Sequence, residues 1–162
     1  MLELRLFGSP EILMDGQPLK LARRKSRALV YYLASHDRPL RRDSLLSAFW
    51  PDKPRPAAQQ ILRTTLHGLR KALGTDLLAE GDEVGLTPDA QIDVQLFVEQ
   101  ISNSPSDPAQ LAKTLELYRG EFLESFYLPD TPAFEDWLLL EREHLQRLAV
   151  RGLTALSRLH ET

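Results

Sequence analysis

The chain of 162 residues contains no cysteine. Disulfide bonds, thiol catalysis and cysteine-bound zinc are therefore excluded, and a reducing cytoplasm is compatible with the composition. No segment approaches the ~18 consecutive apolar residues of a membrane-spanning helix. The N-terminal sequence MLELRLFGSP alternates between apolar and polar residues instead of forming the apolar run of a signal peptide. These absences predict a cytoplasmic protein without a membrane partner.

Sequence motifs of common enzymes are also missing. The chain contains no P-loop, GxGxxG, HExxH or GxSxG motif. Its four histidines are scattered, and no two of them have the spacing of metal ligands on one helix. We therefore predict that the protein is not an enzyme and holds neither a cofactor nor a metal ion.

The net charge of −3 hides an uneven distribution along the chain. Up to Thr75 there are 14 Lys and Arg against 6 Asp and Glu, whereas the remainder has 6 against 17. The first part thus carries a charge of +8 and the second a charge of −11. Such an asymmetry favours a basic part that faces nucleic acid, joined to an acidic part with a different role.

One stretch of the basic part, residues 55–74 (RPAAQQILRTTLHGLRKALG), has a polar face without any acidic side chain. Its apolar residues recur with helical spacing and predict a single buried stripe. The opposite face suits phosphates and base edges, because every side chain on it can donate a hydrogen bond. An ordinary solvated helix surface is the alternative interpretation. The residues of this face are Gln59, Gln60, Arg63, Thr64, His67, Arg70 and Lys71.

The flanking sequence predicts a small antiparallel sheet, two further helices and a hairpin. Alternation and turn signals indicate strands at 2–7, 11–14 and 17–21, helices at 23–36 and 43–50, and a hairpin over 77–87. Asp43 is the expected N-cap of the second helix. Sheet, three helices and hairpin is the order of an α+β winged helix-turn-helix domain, whose third helix enters the major groove. We assign residues 1–90 to this domain.

The acidic remainder, residues 91–162, predicts an all-α helical bundle. Helices are expected at 93–101, 108–119 and 133–160, with a loop over 102–108. Asp93 is the expected N-cap of the first of these helices. On the last helix Glu141 falls within the apolar stripe, and we expect it to pair with Arg119 or another buried cation.

Several segments, taken in order, resemble the SARP-type bacterial transcriptional activators. They are LRLFGSPEILMDGQPLKLARRKSRALVYYLA, DSLLSAFWP, AQQILRTTLHGLRKALG, the hairpin around Val84-Gly85-Leu86, IDVQLF, LYRGEFLESFYLPD and the helix with Trp137, Glu141 and Arg142. The resemblance implies an OmpR-like winged-helix DNA-binding domain, followed by the start of a bacterial transcriptional activator domain related to tetratricopeptide repeats. It further implies binding to double-stranded DNA at promoter direct repeats and recruitment of RNA polymerase, and it leaves a homodimer possible.

Such repeats normally bury a continuous core only when three or more are stacked. We therefore expect further helices beyond Thr162, or a second copy of the chain, to cover the last helix.

The basic residues divide into two groups under this interpretation. Base contacts are expected from the exposed face of the third helix, with Arg63 best suited to a bidentate contact with guanine. The base-reading residues are Gln59, Gln60, Arg63, Thr64 and His67. The expected phosphate-binding residues are Arg23, Arg24, Lys25, Arg27, Arg41, Arg42, Arg70 and Lys71.

Two features depart from the family pattern. Gly68 stands where the family usually has a basic residue, and the hairpin tip carries Glu80, Asp82 and Glu83 where relatives commonly have Arg. An acidic tip would be repelled by phosphate. These departures favour an alternative, a protein-interaction module whose winged helix no longer binds DNA. A sensor domain that binds a small ligand in the helical bundle is a third hypothesis.

Overall fold

The computed structural model describes residues 1–103 and 106–161. The chain folds as a winged helix followed by helices, which confirms the predicted fold class. The elements are, in order, β1 (Leu2–Arg5), β2 (Glu11–Met14), β3 (Gln17–Pro18), α1 (Arg24–Ala34), β4 (Leu40–Arg41), α2 (Arg42–Phe49), α3 (Arg55–Leu73), β5 (Leu77–Leu78), β6 (Glu83–Leu86), β7 (Gln91–Ile92), α4 (Asp93–Ser102), α5 (Pro108–Glu116) and α6 (Pro132–His160). Residues 104 and 105 of the predicted loop 102–108, and Thr162, lie outside the described residues.

The N-terminal sheet is mixed, whereas the sequence predicted an antiparallel one. Its strand order is β3-β2-β1-β7, and β7 runs parallel to β1 with Ile92 opposite Leu4. The other two pairings are antiparallel. A parallel neighbour requires a long crossover connection, here the rest of the winged helix. Local alternation in the sequence therefore carries no signal for this pairing.

Helix α3 forms as its apolar spacing predicts. Its buried residues, Ala58, Leu62, Leu66, Leu69 and Leu73, recur every three or four positions and face the core. Pro56 lies in the first turn, where its missing N–H costs no hydrogen bond. Gly74 ends the helix with a positive φ of 59°, a conformation that residues with a Cβ rarely adopt.

The wing, formed by β5 and β6, gains a third strand that the sequence did not predict. Strand β4 pairs antiparallel with β6, so the sheet order is β4-β6-β5. Gly85 permits this packing, because a Cβ on it would meet the Cα of Pro39 at 3.2 Å. The wing is therefore attached directly to the start of α2.

Asp93 connects the two parts of the chain, although not as the N-cap that was predicted. It is the first residue of α4, and its carboxylate accepts hydrogen bonds from the backbone N–H groups of Leu6 (2.9 Å) and Phe7 (3.1 Å) beyond β1. Arg119 lies 3.5 Å from the same carboxylate. Burial raises the pKa of Asp93, although these donors act to lower it.

Two other predicted contacts of acidic residues are wrong. Asp43 does not cap α2, which begins one residue earlier at Arg42, and it pairs instead with Arg55 at 2.7 Å. Among the described residues Glu141 forms no ion pair, neither with Arg119, which lies beside Asp93, nor with another cation. Helical periodicity places a residue on a face of its helix but does not select its partner on another element.

Within residues 1–103 and 106–161, no helix combines the length and apolar character that crossing a membrane requires.

Candidate nucleic-acid interface

The predicted base-reading face of α3 points to solvent. Gln60, Arg63, Thr64 and His67 are exposed, and Gln59 is half-buried at the edge of the face. The apolar stripe on the opposite side of α3 is packed into the core, which fixes this orientation. Nη2 of Arg63 donates to Oε1 of Gln60 at 3.0 Å, so two of the predicted base-reading side chains are already paired with each other.

A concave site opens beside this face, between the first residues of α2, the N-terminal half of α3 and the wing tip (residues 80–83). Its volume is 290 Å³. Four guanidinium groups, the amide of Gln59 and two aspartates line it. The charged residues that line the site are Arg41, Arg42, Arg55, Arg63, Asp43 and Asp82. Guanidinium groups bind the oxygens of phosphate with paired hydrogen bonds, so the site suits an anion.

Arg42 holds the wing in place. Its Nε donates to the backbone oxygen of Gly81 and its Nη2 donates to that of Ala79, both at 2.7 Å. The backbone N–H of Arg42 donates to the backbone oxygen of Asp82 at 2.8 Å. The predicted phosphate contact of Arg42 therefore has to share a guanidinium that already binds two wing carbonyls.

The predicted phosphate-binding residues at the start of α1 lie elsewhere, and two of them contact the protein itself. Nη1 of Arg24 is 3.4 Å from the backbone oxygen of Tyr127, and Nζ of Lys25 lies 5.4 Å from the centre of the Trp50 ring. Burial lowers the pKa of Lys25. Arg27 is half-buried, and within the part of the chain that the structure describes its Nε is buried without a hydrogen-bond partner. Arg23 is exposed.

The last turn of α3 carries the remaining two predicted phosphate-binding residues, Arg70 and Lys71. Both are exposed, and their position at the C-terminus of the helix suits the helix dipole. Arg70 also lines a groove between α3 and the wing, together with Glu80 and Glu83. The groove thus combines one cation with two carboxylates and is less favourable for an anion than the site beside Gln59.

The two departures noted in the sequence are both on the surface. The wing-tip carboxylates Glu80, Asp82 and Glu83 are exposed. Gly68 is exposed as well, and a Cβ on it would meet nothing within 4 Å. Packing therefore does not require glycine at this position.

Arg55 belongs to the concave site but is absent from the sequence-based assignment. It is the first residue of α3, and its guanidinium pairs with Asp43 across the α2–α3 turn. A signal was present, because Arg55 lies in the acid-free stretch between two prolines. Whether Arg55 reaches the concave site depends on the turn between α2 and α3, which places it opposite Asp43.

No family model and no curated protein matches the chain. A solved structure, Mycobacterium tuberculosis EmbR in complex with a low affinity phosphopeptide, has a similar fold, with a TM-score of 0.75 and 24% sequence identity. The superposition covers 98% of this chain and 45% of the EmbR chain. The chain thus spans less than half the length of that structure, and the similarity includes both the winged helix and the helices that follow it.

Proposed function

We propose that the protein is a sequence-specific DNA-binding transcriptional regulator that reads the major groove with α3. The observation that carries this proposal is the exposed, acid-free donor face of α3 beside a concave site lined by arginines. A major groove about 12 Å wide admits an α-helix, and the bases present their distinguishing donors and acceptors there.

Arg63 is the central residue of the proposed base readout. Its position on the solvent face, midway along α3, lets the guanidinium reach the O6 and N7 acceptors of guanine. Gln59 and Gln60 suit adenine, Thr64 suits the methyl group of thymine, and His67 extends the same face. Each good base contact contributes about 1–3 kcal/mol of discrimination.

Phosphate contacts supply the sequence-independent part of the affinity. Arg41 and Arg55 in the concave site and Arg70 and Lys71 at the end of α3 lie on the same helix face or beside it. Neutralising about four phosphates with these side chains corresponds to a slope of about −3.6 for log K against log salt concentration.

The assembly follows the resemblance to SARP-type activators. In this proposal residues 1–90 form the DNA-binding domain, and residues 91–162 belong to a tetratricopeptide-like activator domain that contacts RNA polymerase. The regulator acts in the cytoplasm as an activator and as a possible homodimer at promoter direct repeats. The fold shared with EmbR supports this arrangement of a winged helix and following helices.

The test is selection of bound sequences from a random duplex library, followed by binding titrations of the selected site at several salt concentrations. We expect one enriched motif and a steep salt dependence. Arg63→Ala should relax specificity at one base pair, costing about 1–3 kcal/mol there, whereas Lys71→Ala should weaken binding to all sequences alike and lower the salt slope by about 1. Absence of enrichment, together with a flat salt slope, would exclude the proposal.

The second candidate is a protein-interaction module whose winged helix does not bind DNA. The acidic wing tip favours it, because Asp82 lines the concave site and Asp43 already pairs with Arg55 there. Charge reversal at Arg63 and Arg70 separates the two candidates. If the protein binds DNA, the reversal abolishes its function. If it is an interaction module that works through its acidic helices, the reversal leaves its function intact.

A further inference from the structure

Helix α6 has an apolar strip on the side that faces away from the core. Leu139, Val150 and Leu153 are 63%, 56% and 57% exposed. With 3.6 residues per turn they lie on one side of the helix, and the exposed Gln146 lies between them. The core-facing side is separate and is formed by Phe134, Leu138, Leu145, Leu148, Ala149 and Gly152. A helix with apolar residues on two sides requires a cover for the second.

The charges of α6 are sorted by sign along its length. From Pro132 to Gln146 the helix has four acidic residues and one arginine. That arginine, Arg142, is bound to the backbone oxygens of Phe122 and Leu123. From Arg147 to His160 the helix has three arginines and no acidic residue. The sorted residues are Glu135, Asp136, Glu141 and Glu143 in the first half and Arg147, Arg151 and Arg158 in the second.

We propose that a second copy of this chain covers the strip, with α6 packed antiparallel against its own copy about a two-fold axis at Gln146. Leu139 and Leu153 lie seven residues on either side of Gln146, which is about 10.5 Å along the helix. A reversed copy therefore brings Leu139 onto the Leu153 of the other chain, and the contact occurs twice, as in any isologous dimer.

The sorted charges of α6 favour the antiparallel direction. In an antiparallel pair the acidic half of one α6 lies along the basic half of the other, whereas a parallel pair would place like charges together. Glu143 and Arg147 flank the strip on one side and form an ion pair within the chain at 3.7 Å. The two-fold axis places this flank of one α6 beside the same flank of the other, running in the opposite direction. The Glu143–Arg147 pairs of the two chains therefore form a network of four charged residues across the axis. Asp136 approaches Arg158 of the second copy in the same way.

Tyr127 extends the same surface. Its side chain is 56% exposed, and its ring centre lies 5.8 Å from the Cζ of Arg142 on α6. The aromatic ring thus adds apolar area at the edge of the strip, and aromatic residues are enriched in protein interfaces.

A two-fold dimer has a consequence for DNA that does not depend on whether the protein regulates transcription. The two α3 helices are then related by the same axis, and such a dimer fits inverted half-sites, whereas direct repeats need a head-to-tail arrangement. For this dimer we therefore expect an inverted repeat in place of the direct repeats that the resemblance to SARP-type activators implies. The dimer itself is tested without DNA, so failure of either proposal can be recognised separately.

Cysteine cross-linking gives a direct test, because the chain has no cysteine of its own. Gln146→Cys lies on the axis and should form a disulfide-linked dimer under mild oxidation. Ser157→Cys is the matched control, since it is exposed on the same side of α6 but eleven residues from the axis, about 16 Å along the helix. A mixture of Leu139→Cys and Leu153→Cys chains should cross-link more than either chain alone. Equal cross-linking of Gln146→Cys and Ser157→Cys would overturn the arrangement.

Charge reversal tests the direction of pairing by sedimentation equilibrium. One variant carries Asp136→Arg and Glu143→Arg, and the other carries Arg147→Glu and Arg158→Glu. Each should self-associate at least tenfold more weakly than the unmodified chain, and an equimolar mixture should recover the heterodimer. If the sorted charges serve only the helix dipole, mixing recovers nothing and the proposal is wrong. A chain without substitutions that stays monomeric at 100 µM, about a hundred times a Kd of 1 µM, would also overturn it.

Discussion

Two clusters of basic residues look alike in the sequence and differ in the fold. The α3 cluster, defined as Arg41, Arg55 and Arg63, lines a concave site open to solvent. The α1 cluster, defined as Arg23, Arg24, Lys25 and Arg27, is partly engaged by the protein itself. Arg24 contacts the backbone oxygen of Tyr127, Lys25 lies over the Trp50 ring and Arg27 is half-buried. Charge density in a sequence therefore does not distinguish a cation offered to a ligand from one that the fold already uses.

The segment between α5 and α6 accounts for part of the difference. It places the backbone oxygen of Tyr127 beside Arg24. Near Lys25, Asp130 adds a favourable charge that is smaller than that of Asp52 in the α2–α3 turn. The α3 cluster has no such cover, and the carboxylates beside it are Asp43 in the first turn of α2 and Asp82 in the wing tip. The acidic part of the chain thus lies against part of the α1 cluster, whereas the α3 cluster lines a site that is open to solvent.

The sharpest way to test this contrast is to remove two cations from each cluster. Arg41→Ala with Arg55→Ala should lower the affinity for duplex DNA on the order of tenfold at physiological salt, and should make the slope of log K against log salt shallower by about 1.8. Arg24→Ala with Lys25→Ala removes the same charge and should leave the slope nearly unchanged. Binding titrations at four or more salt concentrations measure both. Equal losses in the two double variants would remove the distinction between the clusters.

A second prediction concerns Arg42, which belongs to the concave site but binds the wing. Arg42→Ala should lower the free energy of unfolding by about 1–3 kcal/mol, because it removes the donor of two charge-assisted hydrogen bonds to backbone oxygens. Arg41→Ala is the control, since Arg41 is exposed and should change stability by less than about 0.5 kcal/mol. Urea unfolding measures both. Indistinguishable midpoints would show that the wing does not depend on Arg42.

A third prediction compares a buried carboxylate, Glu141 on α6, with an exposed one. Burial raises the pKa of Glu141, although His144 and His36 act to lower it. A folded-state pKa above the ordinary value of 4.5 means that the folded chain binds the proton more tightly. Stability should then be highest below pH 4.5 for this group and should fall as the pH rises through the raised pKa.

Glu141→Gln should therefore flatten this pH dependence and stabilise the protein at neutral pH on the order of 1 kcal/mol, because it removes an incompletely compensated charge. Glu116→Gln on α5, an exposed position, serves as the matched control. Thermal unfolding followed between pH 4 and pH 8 provides the measurement. A Glu141→Gln variant with an unaltered pH profile would show that Glu141 is better solvated than its burial indicates.

Much of the fold could be predicted because it depends on local periodicity. The stripe of α3, its proline start and its glycine end are all readable in residues 55–74, and so is the solvent face opposite the stripe. The pairing of β7 with β1, the third strand of the wing and the partner of Asp93 could not be read in the same way. Each joins segments that are distant in the chain, and no local pattern encodes which distant segment arrives.

The candidate site shows the same division. Its exposed donors Gln60, Arg63, Thr64 and His67 follow from helical spacing, whereas the participation of Arg55 follows from the turn that places it opposite Asp43. The sequence by itself determined the helices, the acid-free face of α3 and the opposite charges of the two parts, because these depend on residue type and spacing alone. Only the tertiary structure decided which cations stay free, since a charge is free or held according to the atoms that the fold brings within a few ångströms of it.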